Sequence, residues 1–158
     1  MTVLEALFPK SANNHYRGGK VPLIGYCLLL LPVTFSALVH FLKDDTGAYA
    51  IATLIRFEGN PDPDNLIMAM HSMQGGHQTL MLLVFLVVLW RYRSLIPMML
   101  GILVLQEMFQ FITSSLHPIG PEYYERTPPA KLLLYPLFFV HLGLFSLSIY
   151  NSCRAEAQ

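Results

Sequence analysis

The sequence predicts an all-α integral membrane protein, a single-domain bundle of four transmembrane helices that cross the bilayer up, down, up and down. The chain has 158 residues, enough for one domain, of which 54% are hydrophobic and 13% charged. That charged fraction is about half of what soluble domains carry. Four apolar runs approach the ~20 residues that a helix needs to cross a ~30 Å hydrocarbon core. They show no alternating strand pattern, and a helix satisfies its backbone hydrogen bonds within the segment.

The four runs follow one another along the chain with polar residues between them. We predict spans at 21–42, 66–90, 95–116 and 132–150. Proline is tolerated in the first turn of a helix, which fits Pro22 and Pro97. In a helix interior proline causes a kink, so Pro32 and Pro136 predict local bends in the first and fourth spans.

The longest connection, 43–65, is predicted to lie on the outer side of the membrane. Its segment 47–59 has the composition of a short helix lying on the membrane surface, and residues 60–65 read as a turn. Asp64 or Asn65 would then cap the second span.

The distribution of charge predicts the orientation of the bundle. Basic residues concentrate in the N-terminal segment and in the tight connection after the second span, at Lys10, Arg17, Lys20, Arg91 and Arg93. The other two connections carry most of the acidic residues. The positive-inside rule therefore places both termini in the cytoplasm, most simply of a bacterial inner membrane. A net charge of zero gives no indication of nucleic-acid binding.

Polar side chains collect at one depth of the predicted bundle. Three spans carry their most polar residues near the middle: Glu107 in the third, His77 and Gln78 in the second, and His141 in the fourth. This is the depth at which ionisable groups are most costly, so they are candidates for function. The sequence predicts a polar cleft that faces outward, with Glu107, His77 and His141 at its floor and His40 near its upper part.

Helical periodicity extends this layer along two of the spans. At ~100° per residue, the polar residues of the third span share one face, and so do those of the second. The predicted ligand-binding residues are His71, Gln74, His77, Gln78, Gln106, Glu107, Gln110, His117 and His141. No nucleophile motif or phosphate-binding loop is present, so no catalytic residue is assigned.

The leading interpretation of the cleft is a site for a quinone-like or lipid-like ligand. Histidine, glutamine and carboxylate side chains can bind a carbonyl or hydroxyl head group, while phenylalanine and methionine supply apolar walls. Glu107 would exchange a proton with His77 or His141. Because the loops are short, we expect an accessory subunit of a larger membrane complex or a homo-oligomer, in contact with membrane lipid.

Three alternatives remain open at the level of sequence. A b-type haem or another tetrapyrrole could be held axially by His77 and His141, with nearby glycines relieving crowding against the ring. A metal ion could take His77, His141 and Glu107 as a two-histidine, one-carboxylate set. The polar layer could instead serve only to pack the helices together.

Residues 66–116 also resemble a known family. The segment "MQGGHQTLMLLVFLVVLWRYRSLIP" has a glycine pair, an apolar run, a short basic turn and the start of the next span. In this it is similar to the DoxX-like group of small four-helix bacterial membrane proteins. The resemblance implies a four-helix bundle associated with redox or quinone-linked membrane chemistry.

Overall fold

A computed structural model describes residues 2–155 of the chain and shows the predicted class of fold. Its α-helices are α1 (Val3–Leu7), α2 (Lys20–Leu42), α3 (Pro63–Arg91), α4 (Ile96–Leu116) and α5 (Pro129–Arg154). Single 3₁₀ turns occur at Arg93–Leu95 and Pro121–Tyr123, and no strand forms within residues 2–155. By length and composition α2, α3, α4 and α5 can each cross a membrane, α4 together with the 3₁₀ turn before it. The four predicted spans and the integral membrane class are therefore confirmed.

The start of α3 differs slightly from the prediction. The helix begins at Pro63, and the Asp62 carboxylate caps it by accepting a hydrogen bond from the Asp64 backbone N–H at 2.9 Å. Neither Asp64 nor Asn65 is the cap. Asp64 is instead buried and accepts a hydrogen bond from the Phe57 backbone N–H, which ties the long loop to the helix.

The four long helices pack as two antiparallel pairs. Helix α2 lies mainly on α3 and helix α4 mainly on α5, whereas α3 and α4 make little contact despite the short turn that joins them. Gly75 allows α3 to lie directly against the backbone of α2, because a Cβ there would lie 2.5 Å from the His40 carbonyl carbon. Small residues of this kind are typical of close helix crossings in membranes.

The apolar core occupies only one half of the bundle. Its fully buried members lie toward the end that carries both chain termini: Tyr26, Leu29, Leu30, Phe85, Val88, Ile96, Met99, Leu100 and Leu103. We call this half the chain end and the opposite half the loop end. The Tyr26 hydroxyl donates to the Phe85 carbonyl at 3.0 Å and so joins α2 to α3 inside the core. Toward the loop end the four helices no longer fill the space between them.

The N-terminal segment crosses the chain end and is held there by hydrogen bonds. The Asn13 backbone N–H donates to the Ser94 hydroxyl at 3.0 Å, and the Ser94 backbone N–H donates to the Asn13 carbonyl at 3.1 Å. The Tyr16 hydroxyl lies 2.7 Å from the Ser148 hydroxyl. Burial raises the pKa of Tyr16 to about 12, so the phenol stays protonated.

The two connections at the loop end pair with each other. The Thr53 hydroxyl donates to the Arg126 carbonyl at 2.6 Å, and Leu54 and Tyr124 form an isolated antiparallel β-bridge. The helix expected within 47–59 is not formed: turns extend to Ile51 and the chain is then extended. The turns close hydrogen bonds back to Gly47 and Ala48, and beyond them the backbone of Thr53 and Ile55 bonds to the connection after α4, so no helix continues.

One carboxylate organises the turn that follows α2. Asp45 accepts hydrogen bonds from the Gly47 and Ala50 backbone N–H groups, at 3.0 and 2.9 Å, and pairs with the Lys43 ammonium. Burial alone would raise the pKa of Asp45, but Lys43 and the two backbone donors outweigh it and lower the pKa to about 2.

Candidate intramembrane binding site

A cavity of about 410 Å³ lies among α2, α3, α4 and α5, directly beyond the apolar core. We call it the central cavity. Its polar lining is Ser36, Gln74, Gln78, Gln106, Glu107, Gln110 and His141, and its apolar lining is Leu29, Pro32, Val33, Met81, Phe85, Leu103 and Leu137. Six of the nine predicted ligand-binding residues are therefore brought together, with polar groups from all four helices.

The antiparallel pairing of α4 with α5 places a carboxylate beside an imidazole. Glu107 Oε1 lies 3.4 Å from His141 Nδ1, a separation that permits an ion pair but without hydrogen-bond geometry. His141 is only 5% exposed, and its Nδ1 has no hydrogen-bond partner in the part of the chain that the structure describes. Buried polar atoms nearly always have a hydrogen-bond partner, so this nitrogen is a candidate to bind a ligand.

A second polar group lies on the opposite wall, between α2 and α3. Gln78 Oε1 accepts a hydrogen bond from the Ser36 hydroxyl at 3.2 Å and another from His40 Nδ1 at 3.1 Å. The His71 ring packs edge-on to the His40 ring with 6.0 Å between centroids, and its Nδ1 is buried without a partner among residues 2–155. His40 and His71 thus continue the polar wall toward the loop end, although neither lines the cavity.

His77 does not join Glu107 and His141. It is exposed on the outer surface of α3, where its Nδ1 donates to the Met73 carbonyl at 2.9 Å. Adjacent helical residues differ by about 100° in direction. Because the contact at Gly75 turns Gln78 toward α2, His77 is turned away from the bundle. The predicted floor of three residues is therefore reduced to Glu107 and His141.

His117 also lies outside the central cavity. It is the exposed C-cap residue that follows α4 at the loop end, and its backbone N–H donates to the Thr113 carbonyl at 2.8 Å. Its position at the end of the helix removes it from the cavity.

The haem and metal alternatives each require side chains that face one another, which the structure allows us to check. Axial ligation by His77 and His141 requires both imidazoles to face one ring, and only His141 faces the space between the helices. Gly75 contacts the backbone of α2, so its lack of a side chain serves helix packing. Among residues 2–155, no group of three His, Cys, Asp or Glu side chains lies close enough together to hold a metal ion.

Sequence reasoning placed His40 of α2 near the upper part of the cleft but missed the residues of α2 that line the cavity. Ser36 lines the cavity and Leu29 and Val33 form part of its apolar wall. A signal was present, since Ser36 and His40 are four residues apart and such residues lie on one face of a helix. A single serine in an apolar run carries little information until its partner, Gln78, is known.

We infer that the cavity opens between α3 and α4. Three of its glutamines are exposed, namely Gln74 on α3 and Gln106 and Gln110 on α4, and these two helices barely pack on each other. An opening between two spans faces the bilayer. The predicted opening to the outer surface stays a prediction.

The fold and this site together define an integral membrane four-helix bundle with a polar-lined cavity between its helices. No protein-family model, curated protein or solved structure matches this chain. The resemblance to DoxX-like proteins therefore stays a prediction.

Proposed function

We propose that the chain is a small membrane-embedded binding protein whose central cavity takes the head group of a quinone-like or lipid-like molecule. The observation that carries this proposal is the buried, unpartnered Nδ1 of His141 facing Glu107 across a cavity of about 410 Å³. A cavity of that volume, with convergent polar groups and apolar side chains in equal number, has the character of a small-molecule site.

The chemistry of the lining favours a neutral head group over a phosphate. No Lys or Arg is among the described residues that line the cavity, so a phosphate would meet the Glu107 carboxylate without a compensating cation. A ring carbonyl or hydroxyl suits the site better, because His141 can donate to a carbonyl and Glu107 can accept from a hydroxyl. Gln106 supplies both an amide donor and an amide acceptor.

The direction of the opening supports a ligand that is dissolved in the membrane. A head group entering between α3 and α4 would leave an apolar tail against the lipid, while Phe85, Leu103 and Leu137 enclose the ring. The polar residues then replace the water that the head group loses. We propose no redox step for the protein itself.

The setting that fits this proposal is a bacterial inner membrane with both termini in the cytoplasm. The concentration of basic residues at the chain end and of acidic residues at the loop end supports that orientation. We also propose an accessory role in a larger membrane complex, or a homo-oligomer, which the short loops support.

Binding of a short-chain benzoquinone to the purified protein in detergent tests the proposal, with affinity measured by calorimetry. We expect His141→Ala and Glu107→Gln to weaken binding about tenfold each, which corresponds to about one buried hydrogen bond. His77→Ala is the matched control, since it removes the same side chain from the same depth outside the cavity.

Two results would contradict the proposal. In one, the parent protein binds neither the quinone nor its quinol. In the other, His77→Ala weakens binding as much as His141→Ala. If the His141 and Glu107 variants instead change only the folded yield, the polar layer serves helix packing.

A further inference from the structure

A second pocket lies at the chain end of the bundle, separate from the central cavity. It has a volume of about 390 Å³, and we call it the chain-end pocket. Its lining is Glu5, Ala6, Pro9, Lys10, Ser11, Asn13, His15, Tyr16, Arg17, Ser94, Pro97 and Ser152. Ala6 and Pro97 are buried and form an apolar floor, and most of the other residues form a polar rim.

The walls of this pocket are held in place by the protein itself. Asn13 is fixed to Ser94 by two hydrogen bonds, and its side-chain oxygen accepts the His15 backbone N–H at 2.8 Å. Tyr16 is fixed by its hydroxyl contact with Ser148. The pocket therefore exists before any ligand arrives, which lowers the entropic cost of binding.

The charge of the pocket favours an anion. Among the described residues, the Lys10 ammonium lines it together with the Arg17 guanidinium and the His15 imidazole, and Glu5 is the acidic residue of the lining. That carboxylate accepts hydrogen bonds from the backbone N–H and the hydroxyl of Thr2, and these bonds lower the pKa of Glu5. Lys10 contributes to the lowering by its charge but makes no ion pair or hydrogen bond within residues 2–155.

The surroundings of the pocket carry further basic residues and an exposed apolar surface. The chain end also carries Lys20, Arg91, Arg93 and Arg154 at the ends of the spans. Beside the pocket, α1 exposes the apolar side chains of Val3 and Leu4, 53% and 69% exposed, and Phe8 follows at 62%. A cationic pocket next to an exposed apolar surface, at the depth where the spans end, matches a molecule with an anionic head and apolar tails.

We propose that the chain-end pocket binds a phosphate-bearing anion, supplied by the head group of an anionic phospholipid. The Lys10 ammonium pairs with the phosphate, and the Ser11 hydroxyl at the rim and the buried Ser152 hydroxyl supply donors. The acyl chains run along α1 toward the bilayer, which accounts for the exposed Leu4 and Phe8. The site is independent of the ligand of the central cavity.

Native mass spectrometry of the full chain tests this, with the protein released from nonionic detergent after incubation with phosphatidylglycerol or phosphatidylcholine. We expect retention of phosphatidylglycerol by the parent and about fivefold weaker retention by Lys10→Gln, the effect of one basic residue near an anionic surface. Lys10→Arg should restore retention because it keeps the charge. Arg126→Gln is the matched control, because it removes an exposed cation at the loop end.

Inorganic phosphate in a separate arm distinguishes the source of the anion. If phosphatidylglycerol stays bound after phosphate is added, the lipid head group is the ligand. If phosphate displaces it with the same dependence on Lys10, the site takes the free anion.

Equal retention by the parent and Lys10→Gln would overturn the proposal, as would an equal loss in Arg126→Gln. Circular dichroism shows whether each variant is folded. If Lys10→Gln does not fold, a salt titration of the parent replaces it. Added salt must then weaken retention of phosphatidylglycerol while leaving phosphatidylcholine unchanged, and any other result overturns the proposal.

Discussion

Substitution of Gly75 by alanine provides a direct test of how α2 and α3 are packed. The added Cβ would lie 2.5 Å from both the His40 carbonyl carbon and the Phe41 backbone nitrogen, and 2.8 Å from the His40 carbonyl oxygen. Ordinary contact begins at 3.4 Å, so the methyl group is about 1 Å too close. The neighbouring atoms belong to a helix backbone and cannot rotate aside. The two helices must therefore separate.

The expected cost follows from comparison with the neighbouring glycine. A Cβ on Gly76 would lie 3.7 Å from the Phe41 ring, which is ordinary contact. Both positions are inside α3, so the gain in helix propensity on replacing glycine by alanine is about the same for both. The difference between the two variants therefore isolates the clash, for which we expect about 1–3 kcal/mol.

Thermal unfolding in detergent, followed by circular dichroism, measures this difference. At about 2–4 °C per kcal/mol for a chain of this length, Gly75→Ala should unfold several degrees below Gly76→Ala. The separation should also break the 3.1 Å hydrogen bond between His40 and Gln78, which lies one turn from the contact. Equal unfolding temperatures for the two variants would refute the packing described for α2 and α3.

Two further predictions concern single interactions. Tyr26→Phe should lower the free energy of unfolding by about 1 kcal/mol, because it removes the buried hydrogen bond to the Phe85 carbonyl. Tyr150 is exposed, so Tyr150→Phe is the control and should change the free energy of unfolding little. Equal losses for the two variants in denaturant unfolding would contradict this prediction. Asp45 has a lowered pKa of about 2, so its contribution of about 1–2 kcal/mol is present above the unfolded pKa of about 4 and is lost as pH falls toward about 2. Asp45→Asn should therefore be less stable than the parent near neutral pH and should approach it in acid. A stability difference that does not change with pH would contradict the assignment.

The depth of each residue could be predicted from the sequence alone. A membrane span must close its backbone hydrogen bonds internally, so long apolar runs fix the helices and the position of every residue along them. Glu107, His141 and Gln78, which were predicted to lie at one level, line one cavity. The prediction of an interfacial helix within 47–59 was wrong because, outside the apolar spans, the backbone can bond to a distant segment. Here that segment is the connection after α4.

The direction in which each residue faces was decided only by tertiary structure. His77 and Gln78 have the same depth and similar polarity, and an isolated helix with polar groups on one side does not determine which of them faces its neighbours. The close contact at Gly75 sets the rotation of α3, turning Gln78 toward Ser36 and His77 outward. The sequence by itself thus determined a four-helix membrane protein with a polar layer at mid-depth. Helix packing decided which polar groups share the cavity, because rotation about a helix axis depends on contacts with other helices.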